Sequence, residues 1–378
     1  MRPASFHQRE VAVLVGLKRA QQSRWEVEDS LDELAQLTVS AGAASAFRVL
    51  QERPVPDPRT LIGPGKVEEI KTICEGGVDL VIFDDDLTGS QQRNLEAALT
   101  RKIIDRTGLI LDIFAQRARS KEGKLQVELA QLKYLLPRLT GHGMDLSRLG
   151  GGIGTRGPGE TQLEVDRRRI RRRITKIEEE LGKVRRHRRL LHRSRQKQAL
   201  PTAALVGYTN AGKSSLLNAL ANAQLPVADK FFATLDPTMR KVILPGGRAV
   251  LLSDTVGFIR KLPHQLVAAF KATLEDVVAS DLLLHVIDIS HPKWQGQVQA
   301  VATVLEELEV AAKPHINVYN KVDKLPHPEA VAFLTRKPRL VVTSAMTGEG
   351  LPEIKKAIAE TLDELEGTRA VWRVDGQG

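Results

Sequence analysis

The segment Gly207-Tyr-Thr-Asn-Ala-Gly-Lys-Ser214 decides the fold of half of this chain, because it is a complete phosphate-binding P-loop. An apolar, strand-like run precedes it at 203–206, and a helix-like run follows it at 215–220. In a strand–loop–helix context, backbone N–H groups and the helix N-terminus bind phosphate oxygens. The motif therefore predicts that Lys213 reaches the β- and γ-phosphates and that the Ser214 hydroxyl ligates Mg²⁺.

Three further motifs follow the P-loop, each at the end of an apolar run: Asp254-Thr-Val-Gly257, Asn320-Lys-Val-Asp323 and Ser344-Ala-Met346. An aspartate in the first can hold Mg²⁺ through water, and the glycine can offer its N–H to the γ-phosphate. In the second, the Asp323 carboxylate can accept two hydrogen bonds from guanine, which adenine cannot donate. The ordered set predicts a domain that binds and hydrolyses a guanine nucleotide with Mg²⁺.

A switch segment is predicted between the P-loop and Asp254, in the run Phe231-Phe-Ala-Thr-Leu-Asp-Pro-Thr238. Such a segment needs one threonine that meets Mg²⁺ and the γ-phosphate, and both Thr234 and Thr238 fit this role. Phe258 stands where a water-orienting glutamine is common, and a phenyl ring cannot orient water. We therefore expect slow intrinsic hydrolysis, with help from a partner or from one of three nearby residues: Arg240, Arg260 and His264.

The candidate catalytic residues are Lys213, Thr234 and Gly257, and the candidate Mg²⁺ ligands are Ser214 and Thr234. The predicted GTP-binding residues come from the four motifs and the switch segment: Gly207, Tyr208, Thr209, Asn210, Ala211, Gly212, Lys213, Ser214, Phe232, Ala233, Thr234, Leu235, Asp236, Asp254, Thr255, Val256, Gly257, Asn320, Lys321, Val322, Asp323, Ser344, Ala345 and Met346.

Composition narrows the class of protein. The 378 residues carry a formal net charge of +10, which favours a polyanionic partner. The sequence has no run of eighteen apolar residues, so it predicts no membrane span. The first residues lack the apolar core of a signal peptide. The single cysteine, Cys74, excludes an internal disulfide and fits the reducing cytoplasm. A monomer is the default expectation.

Residues 1–112 are predicted to form an α/β domain with a parallel sheet, because strand-like and helix-like runs alternate. The strands are expected at 11–17, 46–50, 80–83 and 102–105, and the helices at 23–40, 65–75 and 88–100. Gly63-Pro-Gly-Lys66 reads as a turn before a helix, or else as a second phosphate loop. Asp84-Asp-Asp86 reads as a helix cap, or else as a metal site.

Residues 113–199 predict a long antiparallel helical hairpin, with helices at 123–136 and 160–197 joined by a glycine-rich segment at 139–159. The second helix is strongly basic, and its few acids, at 178–180, cannot pair most of the arginines. A solvated helix is the plain alternative, but phosphates would relieve the repulsion. The candidate nucleic-acid contacts are Arg148, Arg156, Arg167, Arg168, Arg171, Arg172, Arg185 and Arg188. Charge alone does not separate RNA from DNA or from an acidic protein.

The predicted fold is therefore α/β. A P-loop NTPase G domain at 200–366 is preceded by the α/β domain with its parallel sheet and by the antiparallel helical hairpin, and is followed by a short tail at 367–378.

Four runs, at 87–95, 105–117, 150–164 and 232–238, resemble HflX-type GTPases. The resemblance implies a bacterial cytosolic GTPase that binds the large ribosomal subunit and its ribosomal RNA and splits stalled or idle ribosomes. It also implies that Thr234 is the Mg²⁺-linked threonine. An activity toward ATP, considered for the family's N-terminal domain, bears on Lys66. Many family members carry a further C-terminal domain, which the short predicted tail does not match.

Overall fold

A computed structural model of the chain describes residues 9–139, 162–197, 200–223, 231–232, 234–235, 238–261, 274–325 and 339–375. The chain divides into two compact units, 1–182 and 183–378. None of the helices in these described ranges combines the length and the apolar character that a membrane crossing requires.

The first unit is built on a four-stranded parallel sheet in the order β2-β1-β3-β4. Its strands are β1 (Val11–Lys18), β2 (Ala44–Glu52), β3 (Leu80–Phe83) and β4 (Lys102–Asp105). The connecting helices are α1 (Arg24–Ser40), α2 (Pro64–Glu75) and α3 (Gly89–Leu99). Strand–helix alternation thus predicted the parallel sheet correctly. Lys66 lies in the first turn of α2 and pairs with Glu69 at 2.6 Å.

Three further helices follow β4 in the sequence: α4 (Arg106–Arg117), α5 (Lys121–Leu135) and α6 (Gln162–Lys197). Helix α6 packs on α5. The α5–α6 seam is apolar, with buried residues Leu125, Leu129, Ile177 and Leu181. Ion pairs flank it on both sides: Arg173 Nε lies 2.6 Å from Glu128 Oε1 and Lys133 Nζ lies 2.8 Å from Glu178 Oε1.

The second unit contains a six-stranded sheet in the order β10-β9-β8-β5-β7-β6, parallel except for the β6–β7 pair. Its strands are β5 (Thr202–Gly207), β6 (Thr238–Ile243), β7 (Ala249–Asp254), β8 (Leu282–Asp288), β9 (His315–Asn320) and β10 (Leu340–Val342). Its helices are α7 (Lys213–Ala221), α8 (Glu275–Ala279), α9 (Trp294–Glu307) and α10 (Leu351–Asp375). The P-loop and the three later motifs all lie at carboxyl ends of strands, the edge at which open parallel sheets bind ligands.

The predicted domain boundaries at 112 and 366 both fall inside helices, α4 and α10. Helix α4 was not predicted; residues 106–111 are all buried, and exposed positions, at Asp112, Ala115 and Gln116, occur only in its second half. The domain limits themselves stay predictions.

The cap interpretation of Asp84-Asp-Asp86 was wrong, because Thr88 caps α3 with a complete capping box. Asp84 is buried and pairs instead with Arg106, whose Nε lies 3.1 Å away. Asp86 accepts a hydrogen bond from the Thr107 hydroxyl at 2.5 Å. These carboxylates therefore hold the start of α4 against the end of β3. A local motif could not reveal partners about twenty residues away.

Asp105, the last residue of β4, is the centre of a buried hydrogen-bond network. Its carboxylate accepts from the Tyr134 hydroxyl at 2.7 Å, from Arg138 Nη2 at 2.7 Å, and from the backbone N–H groups of Gly108 and Leu87 at 2.8 and 3.1 Å. The Arg138 guanidinium also lies 3.5 Å from the centroid of the Tyr134 ring. Burial and then the Asp105 carboxylate raise the pKa of Tyr134, so the hydroxyl remains a donor. The network ties the end of α5 to the sheet.

Replacing Asp105 by Asn should destabilise the first unit by about 3 kcal/mol, because the Arg138 charge, on a side chain only 15% exposed, loses its buried counter-ion. The matched control is Asp32→Asn, which breaks an exposed pair with Arg48 and should cost about 0.5 kcal/mol or less. The measurement is hydrogen exchange of peptides within 80–117 against urea concentration. Equal losses for the two variants would contradict the buried-network assignment.

Candidate nucleotide site

The P-loop between β5 and α7 has four carbonyl oxygens that accept from side chains. Lys213 Nζ donates to the oxygens of Gly207 and Tyr208 at 3.1 and 2.8 Å. Lys321 Nζ donates to Asn210 O at 2.7 Å, and Asn320 Nδ2 donates to Ala211 O at 2.9 Å. An ammonium group has three protons, so Lys213 keeps one for a phosphate oxygen. These side chains therefore satisfy four carbonyl groups of the loop.

Lys213 is buried at the centre of this loop. Burial lowers its pKa to about 8, the Asp254 carboxylate opposes this shift, and the positive charge of Lys321 adds to it. A desolvated ammonium near a second cation is stabilised by an incoming anion. The geometry and the charge both favour a polyphosphate here.

A cluster of oxygen atoms lies beside the loop. Ser214 Oγ is 2.5 Å from Asp254 Oδ2 and 2.7 Å from Thr234 Oγ1. Asp254 is buried, burial raises its pKa, and no residue in the described ranges gives its Oδ1 a hydrogen bond of good geometry. Hard oxygen donors with an unsatisfied carboxylate oxygen fit Mg²⁺. Thr234 reaches this cluster, whereas Thr238 begins β6.

The motifs predicted to recognise the base are hydrogen-bonded to the P-loop and to each other. Asn320 Oδ1 accepts from Ala345 N–H at 3.0 Å, while its Nδ2 holds Ala211. Asp323 Oδ1 accepts from the Ser344 hydroxyl at 2.6 Å, which orients the carboxylate. Val322 is buried and Met346 is exposed. A carboxylate fixed in this way can read the two guanine donors.

Gly212 and Gly257 are required by close packing. Gly212 has φ +92°, and a Cβ there would lie 2.3 Å from Asn320 Nδ2. A Cβ on Gly257 would lie 2.6 Å from Thr209 Cα and 3.1 Å from Lys213 Nζ. The contacts at 2.3 and 2.6 Å are closer than real Cβ atoms allow, so these two glycines let the motifs pack against each other.

Phe258 is a backbone partner of the P-loop. Its N–H donates to Gly207 O at 3.1 Å, and its carbonyl accepts from Thr209 N–H at 2.6 Å. The ring is 2% exposed, so it packs in the core and orients no water. The nearby Arg260 N–H donates to the Tyr208 hydroxyl at 2.9 Å, Arg240 is half-buried in β6, and His264 lies outside the described residues.

The switch segment and the Asp254 motif also contact the P-loop and the strand that precedes it. In the switch segment, Phe232 and Leu235 are buried, and Phe232 N–H donates to Thr209 Oγ1 at 2.9 Å. Thr255 Oγ1 donates to Leu205 O at 2.6 Å, and Val256 is buried. Four predicted residues lie outside the described ranges: Ala233, Asp236, Arg148 and Arg156.

The candidate arginines on α6 differ in their exposure. Arg168, Arg171 and Arg172 are exposed, and Arg167 is half-buried. Of Arg185 and Arg188, only the helical backbone is described.

Asp288, which the sequence analysis did not single out, joins the nucleotide site. It ends β8, and its Oδ2 lies 2.7 Å from Lys321 Nζ. The available signal was an acid directly after the apolar run at 282–287, which alone is too common to indicate a site.

Comparison with known proteins gives three consecutive family matches: "GTP-binding GTPase N-terminal" at 28–115, "GTP-binding GTPase Middle Region" at 117–195, and "50S ribosome-binding GTPase" at 202–321. A relative named GTPase HflX from Caldanaerobacter subterraneus is 56% identical over 338 residues, covering 89% of this chain and 78% of the relative. GTPase HflX of Escherichia coli is 48% identical over 93% of this chain and 83% of the relative. The solved structure of a GTP-binding protein from Sulfolobus solfataricus with GDP is 26% identical, with a TM-score of 0.45 over 94% of this chain and 99% of that one.

Binding of GDP at about pH 9 should take up nearly one proton. Free Lys213, with a pKa of about 8, is mostly neutral there, and the bound diphosphate restores its charge. At about pH 7 the lysine is already protonated, so uptake should be small. Calorimetry in buffers of different ionisation enthalpy measures this.

The matched control is Lys324→Met, which removes an exposed lysine near the base motif and should leave the uptake unchanged. Buffer-independent heats at about pH 9 would contradict the assignment of the uptake to Lys213.

Proposed function

The chain belongs to the HflX family of GTPases, and on that premise we propose that it binds the large ribosomal subunit and uses its GTP cycle to separate stalled or idle ribosomes into subunits. Its enzymatic activity is GTP hydrolysis, which the family and its G domain establish. The observation that carries the ribosomal proposal is the exposed basic face of α6, in a chain whose G domain matches a ribosome-binding family.

The basic face is distinct from the α5–α6 seam. Arg173 is held by Glu128 on the side of the seam, whereas Arg171 and Arg172 are exposed. Exposed arginines on one helix neutralise phosphates and release counterions, which gives affinity with little dependence on sequence. Ribosomal RNA supplies such phosphates.

In the proposed G site, Lys213 binds the β- and γ-phosphates, and Asp323 recognises guanine. Ser214 and Thr234 would hold Mg²⁺, with Asp254 bonded through water, and the ion would neutralise phosphate charge. Thr234 and the Gly257 N–H would contact the γ-phosphate, so that its loss releases the switch segment. The cycle therefore has two states with different affinity for the ribosome. The protein acts in the cytoplasm, as a monomer by default.

A second candidate is an RNA-binding or remodelling protein whose affinity is gated by GTP. The same basic face favours it, because counterion release does not distinguish a ribosome from another folded RNA. Separation of ribosomal subunits is what divides the two functions.

The first test measures GTP hydrolysis with and without large ribosomal subunits, together with light scattering of intact ribosomes. We expect strong stimulation of hydrolysis and a nucleotide-dependent loss of scattering as subunits separate. Stimulation without separation would favour the RNA-remodelling function, and neither effect would reject the ribosomal proposal.

Replacing Arg171 and Arg172 by Gln should weaken binding to the large subunit and flatten its dependence on salt, because about two phosphate contacts are lost. The matched control is Lys355→Gln with Lys356→Gln on α10, which removes the same charge elsewhere. Sedimentation binding at several salt concentrations measures both. Equal behaviour of the two variants would show that net charge, and not the α6 face, drives binding.

A further inference from the structure

We propose that Asp288 is a positioning residue of the nucleotide site, which acts by holding Lys321 against the P-loop. Asp288 lies at the carboxyl end of β8, between β5 and β9 in the sheet. It therefore lies beside both strands that carry the P-loop and the base-recognition motif. The inference rests on the GTPase site alone and does not depend on the ribosomal proposal.

Both oxygens of the Asp288 carboxylate are engaged. Oδ1 accepts from the Ser290 hydroxyl at 2.5 Å and from the Ser290 N–H at 3.1 Å. Oδ2 accepts from Lys321 Nζ at 2.7 Å. The side chains of Asp288 and Lys321 are each 15% exposed, so the pair is largely shielded from water. A carboxylate fixed at one oxygen presents the other in a defined place.

Lys321 uses this contact to bridge two parts of the site. The same Nζ donates to Asn210 O in the P-loop at 2.7 Å. The Lys321 backbone is left-handed, with φ +67°, which is uncommon outside glycine. The neighbouring strands are joined at this point as well, because Ile289 N–H donates to Asn320 O at 3.1 Å. Asp288 thus orients the ammonium that satisfies one P-loop carbonyl.

The charge of Asp288 also matters for Lys213. Lys213 Nζ and Lys321 Nζ both donate to carbonyl oxygens of the P-loop, so two cations lie beside the same loop. Asp288 is the bonded counter-ion of Lys321, and Asp254 offsets the charge of Lys213. Removal of the Asp288 charge would leave two cations beside the P-loop with one carboxylate.

These contacts predict which property Asp288 controls. Without its charge, Lys321 loses its fixed place, and the Asn210 carbonyl loses a fixed donor. Release of GDP and GTP should therefore be faster to a similar extent. Discrimination between GDP and IDP should change little, because Asp323 and Ser344 are untouched.

The test measures the dissociation rate of a fluorescent GDP from Asp288→Asn, Lys321→Met and the double variant. We expect Asp288→Asn to release GDP about tenfold faster, equivalent to about 1.4 kcal/mol. In the Lys321→Met background, Asp288→Asn should add nothing further, because the residue acts through Lys321. Release from Asp288→Asn at the wild-type rate, or effects that multiply in the double variant, would overturn the proposal.

The matched control is Asp281→Asn, at the other end of the β8 segment, where the carboxylate accepts from the Thr202 N–H and hydroxyl at 2.9 and 3.0 Å. It should lower the melting temperature and leave GDP release unchanged. Ser290→Ala provides a milder probe if Asp288→Asn folds poorly, since it removes the hydroxyl donor to Oδ1 and keeps both the backbone donor and the carboxylate charge. It should speed release by less than Asp288→Asn, and a larger effect would reject the role of the Lys321 contact.

Discussion

The P-loop can bind phosphate with its N–H groups only if its own carbonyl groups find donors elsewhere. Four of these carbonyls accept from three side chains, Lys213, Asn320 and Lys321. Two of the three residues come from the end of β9, so β9 must end close to the P-loop, on the same edge of the sheet. Gly212 follows from the same requirement, because the Asn320 amide occupies the space of any Cβ. Base recognition and phosphate binding are therefore one packed structure.

The charges of the site follow from this arrangement. Two lysines lie beside one loop with little water, and each has an aspartate at a neighbouring strand end, Asp254 and Asp288. Buried charges are costly unless each is paired and hydrogen-bonded. Burial lowers the pKa of Lys213, and an anion bound beside the lysine would oppose that shift. The order of the strands thus places two lysine ammonium groups beside the P-loop, where they favour the binding of an anion.

Much of the second unit could be predicted because its functional residues lie at strand ends, where short motifs mark them. The contacts between distant motifs could not, and Asp288 has no motif of its own. In the first unit, the alternation of strands and helices was readable, but α4 is buried throughout its first half and was missed. Asp84 and Asp86 were misread as caps because their partners, Arg106 and Thr107, become neighbours only in the folded chain. Local sequence patterns are therefore enough to predict helices and strands, but the role of a polar side chain depends on partners that are distant in the sequence.

Phe258 shows how the same packing separates binding from hydrolysis. Its backbone is hydrogen-bonded to Gly207 and to Thr209, which helps to hold the P-loop in place. Its ring packs in the core. A residue in this place therefore supports nucleotide binding and contributes nothing to the attacking water. Hydrolysis then depends on a water-orienting group other than Phe258, which either a partner or another residue near the site has to supply. Because its ring is packed in the core, Phe258 supports the P-loop and leaves the orientation of water, and with it the rate of hydrolysis, to that other group.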